Sequence, residues 1–203
     1  MQYGVSIRIR MDQDLGQPIV SKTKPQLDRL AWIEAAFALL GEAGETGVRV
    51  EPLAKRLGVT KGSFYWHFRD RRALLDAVLA YWESRDTTRF ITLAEAGGGS
   101  PAERLNKLFL VVLGDEGGLA PELAVRGWAR RERKTSDIVL AIDNRRSAYI
   151  EERFGEMGLS PAEANARAGL LYGLLVGEYM VWRRETARQR ERRIERALDF
   201  VIR

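Results

Sequence analysis

A short stretch in the N-terminal third of the chain carries side chains suited to contact a polyanion. Between Thr60 and Arg71 it places hydroxyls, aromatic rings, a histidine and basic groups within a few helical turns. Gly62 lies among them and has no side chain, so neighbouring backbone N–H groups can approach a phosphate closely. These residue types indicate contact with nucleic acid. The candidate contact residues are Thr60, Lys61, Gly62, Ser63, Tyr65, Trp66, His67 and Arg71.

Other kinds of chemistry have little support in the composition. The chain has no cysteine and one histidine, which argues against thiolate and histidine-rich metal sites. It carries no phosphate-binding glycine loop and no nucleophile elbow, and the adjacent pair Glu151–Glu152 leans to different helical faces. We predict a protein that is not an enzyme and uses no cofactor or metal. A net charge of +5 is compatible with a nucleic-acid partner but does not require one.

Two short helices joined by a tight turn are predicted to position the contact residues. The first helix includes Leu53–Leu57, and the second runs from Lys61 to about Phe68. Gly58 permits the positive φ that such a turn needs, and Thr60 is the expected N-cap of the second helix. Apolar contacts between the helices are expected from Leu53, Leu57, Phe64 and Phe68. This is the geometry that presents a second helix to the DNA major groove.

Several of these residues also have simpler interpretations. Tyr65 and Trp66 could be packing aromatics, and His67 could be a solvated surface residue. Arg71 and Arg72 lie in the first turn of the next helix, where each cation opposes the helix dipole by about 0.3–1 kcal/mol. A nearby polyanion would offset that cost, so the pair favours the nucleic-acid interpretation.

The segment from about Leu30 to Trp82 resembles the N-terminal domain of the TetR (tetracycline-repressor) family. The family pattern Leu-Ala-x-x-Leu-Gly-Val-Thr/Ser-x-Gly-x-Phe/Leu-Tyr-x-x-Phe is matched from Leu53 to Phe68, over about a quarter of the chain with the flanking helices. Arg71 stands where the family usually has Lys, which keeps the charge. Arg49 stands where many members have a Thr or Ser cap, which removes one capping or phosphate contact.

The resemblance implies a role for each matched residue. Phosphate contacts would come from Thr60, Tyr65, His67 and Arg71. Base edges would face Lys61, Gly62 and Ser63, whereas Phe64 and Phe68 would be core. The implied partner is double-stranded operator DNA, bound by a homodimer whose C-terminal domain takes a small-molecule effector. The rival is a helical binding module that has lost DNA binding, and the intact run from Thr60 to Arg71 argues against it.

The periodicity of the whole chain predicts an all-α fold. We expect an N-terminal tail (1–25), a three-helix helix-turn-helix domain (26–72) and a helical ligand-binding and dimerisation domain (73–203). The first helix is expected from Leu27 to about Gly44, and a fourth from the Asp70 cap to about Ala96. Later helices are predicted at 101–112, 121–131, 136–157, 161–183 and 185–202. Val5, Ile7 and Ile9 could form a strand, but with nothing to pair with.

The fourth helix would link the two domains. At 1.5 Å per residue, Arg71 to Phe90 would span roughly 28 Å, enough for a rigid lever that a ligand could tilt. An unknown, partly apolar effector that releases a repressor is therefore the expected mechanism, with activation left open. Aromatic candidates for its pocket are Trp82, Phe90, Phe109, Trp128, Tyr149 and Tyr172, of which about a third are expected to line a cavity.

Three glycines spaced four residues apart predict a close helix contact. Gly169, Gly173 and Gly177 fall on one face of a helix, where each costs about 1 kcal/mol relative to alanine. This line of glycines indicates one of two arrangements. Either this helix and the last helix form a two-fold dimer interface, or the glycines allow close packing within one subunit. The Arg-rich last helix favours a solvated face with an apolar stripe over a second DNA contact. Without a signal peptide or membrane segment, the expected location is the cytoplasm.

Overall fold

The computed structural model describes residues 10–11, 18–19, 28–115, 117–181 and 184–203. In these ranges the chain is all-α apart from two short strands, as the sequence predicts. The strands β1 (Arg10–Met11) and β2 (Pro18–Ile19) pair in antiparallel register. The helices are α1 (Arg29–Gly47), α2 (Val50–Leu57), α3 (Lys61–Tyr65), α4 (Arg71–Glu83), a π segment (Ser84–Thr88), α5 (Arg89–Glu95), α6 (Pro101–Leu113), α7 (Leu119–Ala129), α8 (Arg133–Glu156), α9 (Pro161–Met180) and α10 (Ala187–Ile202).

The first helix is built as its apolar period predicts. Asp28 caps α1 by accepting a hydrogen bond from the Ala31 N–H at 2.9 Å. The buried face of the helix carries Trp32, Ile33, Ala36, Phe37 and Leu40. Gly44, the predicted end, has φ +69°, so the regular helix breaks there, and a further turn continues to residue 47.

Two apolar cores are stacked along the molecule. The first joins α1–α4 to Val125 and Trp128 of α7 and to Val139 and Ile142 of α8. The second lies among α5, α6, α8, α9 and α10. Because α4, α7 and α8 all contribute to the first core, the predicted boundary near residue 72 does not separate two cores. The C-terminal half is instead anchored to the first three helices through shared apolar packing.

The predicted fourth helix is continuous in direction but not in hydrogen bonding. It runs as α4, changes to π geometry over Ser84–Thr88 and resumes as α5 to Glu95. Asp86 and Thr87 of the π segment are buried, although charged and hydroxyl side chains rarely are. Mid-helix π turns are often found at functional sites, so this departure from the predicted lever directs attention to what Asp86 and Thr87 contact.

Smaller differences concern helix ends and the tail. Helix α7 starts two residues and α8 three residues earlier than predicted, and α10 starts two residues later. Ser160 caps α9 by accepting from the Glu163 N–H, as expected. The predicted strand residues Val5, Ile7 and Ile9 lie outside the described residues. Within the described part of the chain, no helix is long and apolar enough to cross a membrane.

Candidate DNA interface and interior cavity

The turn between α2 and α3 has the predicted geometry. Gly58 adopts φ +67°, a left-handed conformation that a residue with a Cβ rarely takes. Phe64 at the centre of α3 is fully buried, with its ring 5.4 Å from that of Trp32 and 5.5 Å from that of Phe68. Leu53 is also fully buried. Apolar packing thus fixes the angle of α3, and leaves its opposite face in solvent.

That opposite face carries the predicted contact residues. Thr60, Lys61 and Gly62 are exposed, and Ser63 and His67 are half-buried. Tyr65 is 56% exposed and Trp66 is 84% exposed. The interpretation of Trp66 as a packing aromatic is therefore wrong, because a ring with so little contact contributes almost nothing to the core. Two large aromatic side chains beside a helix start instead form a surface suited to a partner.

Neither α2 nor α3 has a side-chain hydrogen bond at its N-cap. Thr60 occupies the N-cap position of α3, but its hydroxyl makes no capping hydrogen bond, contrary to the expected role. Arg49 occupies the N-cap of α2 and likewise makes no side-chain cap, as its residue type implies. The first N–H groups of α3 and the Thr60 hydroxyl therefore lie at an exposed helix start, where an anion is favoured.

Arg71 has partners inside the domain that sequence reasoning did not foresee. Its Nε donates to the Val48 carbonyl at 2.6 Å, and its Nη2 donates to both the carbonyl and the carboxylate of Glu45. Arg72 likewise pairs with Asp76 and Glu132. The charges at the start of α4 are thus offset within the chain, and a polyanion is not needed to explain them. Arg71 Nη1 has no partner among the described residues, and the side chain remains 37% exposed.

Gly62 and Lys61 complete the surface at the start of α3. A Cβ on Gly62 would meet only the Thr60 hydroxyl, at 3.7 Å, so internal packing does not require glycine here. Lys61 pairs with Glu51 at 2.5 Å, with both side chains more than half exposed. This hydrogen bond raises the pKa of Lys61 and lowers that of Glu51. Such an exposed pair contributes little to stability and can be exchanged for a phosphate.

A second candidate site is a cavity of about 50 Å³ between the π segment and α5–α9. It is lined by Asp86, Thr87, Phe90, Ile91, Leu108, Phe109, Val112, Asp115, Gly118, Glu122, Arg146, Tyr149, Ile150, Tyr172 and Leu175. Four of the six predicted aromatic candidates are among them: Phe90, Phe109, Tyr149 and Tyr172. More of the candidates therefore face the cavity than the third that was expected.

Trp82 and Trp128 are not among the lining residues, which corrects that part of the prediction. Trp128 packs in the first core, near the start of α4. Trp82 is fully buried, and its indole N–H donates to Glu122 at 2.8 Å. It therefore supports the cavity wall from behind, because Glu122 lines the cavity.

The polar wall of the cavity is a network of buried ions. Glu122 accepts hydrogen bonds from Trp82, from Arg126 at 2.7 Å and from Arg146 at 3.1 Å. Arg146 also donates to the Thr87 hydroxyl at 2.8 Å. Arg146 thus links α8 to α7 and to the π segment, and Arg126 links α7 to α8 through hydrogen bonds to Asp143. Buried ion pairs of this kind lose much stability when one partner is removed.

Several groups around the cavity have pKa values shifted from their ordinary range, among them two carboxyls and Tyr149. Burial raises the pKa of Asp86 to about 6, against the lowering effect of Arg85. Burial and the hydrogen bond to Glu95 raise the pKa of Tyr149 to about 12. Burial opposes ionisation of Asp143, but hydrogen bonds from Arg126 and Tyr172 outweigh it and lower the pKa of that carboxyl. Asp86 is the carboxyl whose charge is compensated least.

Sequence reasoning missed the charged wall. Asp86, Glu122 and Arg146 occur in helices rich in charged residues, and nothing in their local pattern distinguishes a buried charge from a solvated one. The distinguishing signal is the partner on another helix, which the spacing within one helix does not contain. By contrast, the aromatic candidates were found because large apolar rings are expected inside.

The glycine line on α9 faces outward. Gly169 and Gly173 are exposed, and a Cβ on Gly169, Gly173 or Gly177 would have no described atom of the chain within 4 Å beyond its own helix. Close packing within one subunit is therefore not the reason for these glycines. Large apolar side chains are exposed nearby on α9 and α10, including Leu170 at 63% and Phe200 at 87%.

Comparison with known proteins agrees with the geometry of the N-terminal region. Residues 33–78 match the family model for bacterial regulatory proteins of the tetR family. The class A tetracycline repressor from transposon 1721 of Escherichia coli is 43% identical over 63 residues, covering 31% of this chain. The matched segment spans only 29% of that repressor, so the likeness concerns the helix-turn-helix region.

Solved structures resemble the chain over most of its length. A TetR-family regulator from Rhodococcus sp. aligns with a TM-score of 0.68 at 23% identity, covering 86% of this chain and 98% of that one. A second regulator, from Mesorhizobium loti, aligns with a TM-score of 0.67 at 19% identity, covering 86% and 94%. At such identities the alignments establish a shared fold that includes the C-terminal helices.

Proposed function

The chain belongs to the TetR family of bacterial regulatory proteins, and from this premise we propose that it is a transcriptional repressor that binds operator DNA. In this proposal the protein is a homodimer that releases DNA when a small molecule occupies the cavity. Operator binding requires both copies of α3 to enter major grooves about 34 Å apart, or a multiple of that distance.

The observation that carries the proposal is the surface formed by α3 and the residues on either side of it. Its buried side is fixed by Phe64, while Thr60, Lys61 and Gly62 lie exposed at the helix start. Tyr65 and Trp66 extend the surface with exposed rings. We assign phosphate contacts to Thr60, Tyr65, His67 and Arg71, with Trp66 beside them, and base-edge contacts to Lys61, Gly62 and Ser63.

Dimerisation is assigned to the outward faces of α9 and α10. The glycine line of α9 leaves a strip without side chains, which allows another helix to approach closely. Leu170 and Phe200 would leave large apolar areas in water in a monomer. A two-fold contact that buries both faces explains the glycines and the exposed apolar residues together.

Effector release is assigned to the cavity and the helix that leads from it to the DNA-binding region. Asp86 and Thr87 of the π segment line the cavity, and the same helical run begins at Arg71 beside α3. A ligand that favours one arrangement of this segment would move α4 and, in a dimer, change the spacing of the two α3 helices. The ligand acts only through its different affinities for the two arrangements.

The experiment is selection of genomic fragments with the purified protein, followed by gel-shift titration of Gly62→Ala. Since a Cβ on Gly62 is accommodated by the chain itself, the variant should remain as stable as wild type. Close approach to DNA would be blocked, and affinity should fall about tenfold or more. Gly155→Ala is the matched control, because Gly155 is exposed on α8 with no described atom near its Cβ position. Equal affinity of Gly62→Ala and wild type would contradict the proposed interface.

A further inference from the structure

One carboxylate oxygen of the cavity wall accepts no hydrogen bond from the part of the chain that the structure describes. Asp86 is 7% exposed, and its Oδ1 pairs with Arg85. No described residue donates a hydrogen bond to its Oδ2, which lies near the wall formed by Gly118. A carboxylate oxygen that lines a cavity and lacks a donor keeps its acceptor capacity for a ligand.

The other acids around the cavity have their full set of partners. Glu122 accepts from Trp82, Arg126 and Arg146. Asp115 accepts two hydrogen bonds from Arg85, at 2.8 and 2.9 Å. The cations nearby are therefore already engaged, and none of the described residues is left over to neutralise Asp86 further.

The charges of the cavity wall are unevenly distributed. Its described lining carboxylates are Asp86, Asp115 and Glu122, and their ion-pair partners are three guanidiniums, those of Arg85, Arg126 and Arg146. Glu122 pairs with both Arg126 and Arg146, whereas Asp86 and Asp115 share Arg85. The end of the cavity at Asp86 therefore carries two carboxylates for one guanidinium.

The remaining walls are apolar and aromatic. Phe90, Phe109, Tyr149 and Tyr172 line the same cavity as Asp86. Aromatic faces attract cations through the ring quadrupole and give apolar contact to the groups that surround the charge. An anion would meet an acidic wall whose guanidiniums are engaged, and a neutral ligand would leave the charge of Asp86 unpaired.

We propose that the cavity binds a cationic effector with an apolar body, whose positive charge lies against Asp86. This inference rests on the proposed function, because it treats the cavity as the effector site. The bound cation would also contact the helical segment that leads to the proposed DNA-binding surface, because Asp86 belongs to the π segment that joins α4 to α5. A cation at Asp86 competes with Arg85 for the carboxylate and so changes a contact made by that segment itself.

The test is calorimetric titration of the free, full-length protein with two small cations and a neutral analogue. The cations are tetramethylammonium and benzyltrimethylammonium, and the analogue is neopentylbenzene, which replaces the charged nitrogen of the second cation by carbon. At about pH 8 the benzyl cation should bind about tenfold or more tightly than neopentylbenzene. Equal or tighter binding of the neutral analogue, or no binding of either cation, would overturn the proposal.

Asp86→Asn should abolish the preference for the cation, whereas Asp137→Asn, an exposed acid on α8, should leave it intact. A pH series on the wild type gives the same test if the first variant folds poorly. The charged groups facing Asp86 are Arg85, Asp115, Glu122 and Arg146. Since the pKa of Asp86 is about 6, cation affinity should fall about fivefold between pH 6 and pH 5. A preference unchanged in Asp86→Asn, or an affinity constant over this pH range, would overturn the assignment to Asp86.

A gel shift separates this inference from the proposed function. If the cation binds at Asp86 but DNA affinity is unaffected, the cation site stands and effector release fails. If the wild type binds no DNA fragment while the cation still binds, operator binding fails and the cavity assignment stands. If DNA binding holds but only the neutral analogue enters the cavity, the repressor proposal stands and the charge assignment fails.

Discussion

The proposed DNA-binding surface, from Thr60 to Arg71, and the cavity differ in how their charged groups are paired. On the surface, Lys61 pairs with Glu51 while both remain more than half exposed, so the pair is hydrated and easily exchanged. In the cavity, Glu122 is 5% exposed and accepts from three donors on three helices. The exposed, hydrated pair on the surface suits a charged partner, which can replace Glu51 as the partner of Lys61. The network in the cavity is an internal scaffold that holds helices together and leaves one carboxylate, Asp86, incompletely paired.

The two regions also differ in how their residues are assembled. The contact residues of the DNA-binding surface lie within a single run from Thr60 to Arg71. The cavity gathers residues from the π segment, α5, α6, α7, α8 and α9 and from the turn after α6. A substitution at an exposed surface residue other than Arg71 should therefore affect binding with little change in stability. A substitution in the first core or in the cavity wall should affect the stability of the whole fold. The predictions below test this contrast.

The largest effect is expected from removing the centre of the first core. Phe64→Ala should lower the free energy of unfolding by about 3–5 kcal/mol, because it deletes a fully buried ring packed on Trp32 and Phe68. Chemical denaturation measures the change. Leu140→Ala on α8, at a position 59% exposed, should change it by less than about 0.5 kcal/mol. A small effect of Phe64→Ala would mean that α3 is not fixed by this core.

A pH-dependent effect of nearly the same size is expected at Asp86. Its pKa rises from 3.8 to about 6 on folding, so the neutral form is favoured in the folded state. The stability it contributes is present below about pH 4 and is lost as the pH rises through about 6, a change of about 3 kcal/mol. Asp86→Asn should lack this loss, so its stability relative to wild type should increase between about pH 4 and pH 8.

Urea denaturation of both proteins across this range measures the difference, with Asp137→Asn as an exposed control that should follow wild type. A constant difference between Asp86→Asn and wild type at all pH values would show that burial does not perturb this carboxyl.

Substitutions of Arg71 and Tyr65 should both weaken DNA binding, but only the substitution of Arg71 should also lower stability. Arg71→Ala removes hydrogen bonds to Val48 and Glu45 and should cost about 1–2 kcal/mol of stability. It should also lower the salt dependence of DNA binding by about one unit of slope, because its remaining Nη1 is assigned to a phosphate. Tyr65→Ala, at a position 56% exposed, should weaken binding to all sequences alike at unchanged stability.

Denaturation and gel shifts at several salt concentrations give both quantities. An unchanged salt slope in Arg71→Ala would limit Arg71 to its internal contacts, and a destabilised Tyr65→Ala would place that ring in the core rather than on the surface.

The smallest effect on the single chain is expected at the glycine line. Gly173→Leu should not destabilise the monomer, because no described atom lies near its Cβ position, and the helix propensity of leucine should add up to about 1 kcal/mol of stability. It should raise the dimer dissociation constant about tenfold or more by forcing the two helices apart. Sedimentation at several concentrations measures the shift, and Gly155→Leu on α8 is the matched control. A dimer of wild-type stability in Gly173→Leu would exclude this line from the interface.

The predictions from sequence were most successful where structure is local. The turn at Gly58, the cap at Asp70 and the buried positions Phe64 and Phe68 follow from spacings within a few residues. The fourth helix was predicted as one continuous lever, whereas the structure inserts a π segment at Ser84–Thr88. In this π segment Asp86 and Thr87 are buried against α7 and α8. Helical periodicity does not encode such a tertiary contact.

The sequence by itself determined the all-helical class, the helix-turn-helix and the surface from Thr60 to Arg71. It could do so because capping, turn glycines and apolar stripes act between residues close in the chain. Only the tertiary structure decided which charges are buried. Arg146 reaches Glu122 across 24 positions and Thr87 across 59 positions of the chain. Since a buried charge needs a partner, and Arg146 finds its partners on other elements, the cavity takes shape only when the helices are packed. The same holds for the Asp86 oxygen that accepts no hydrogen bond from the described residues.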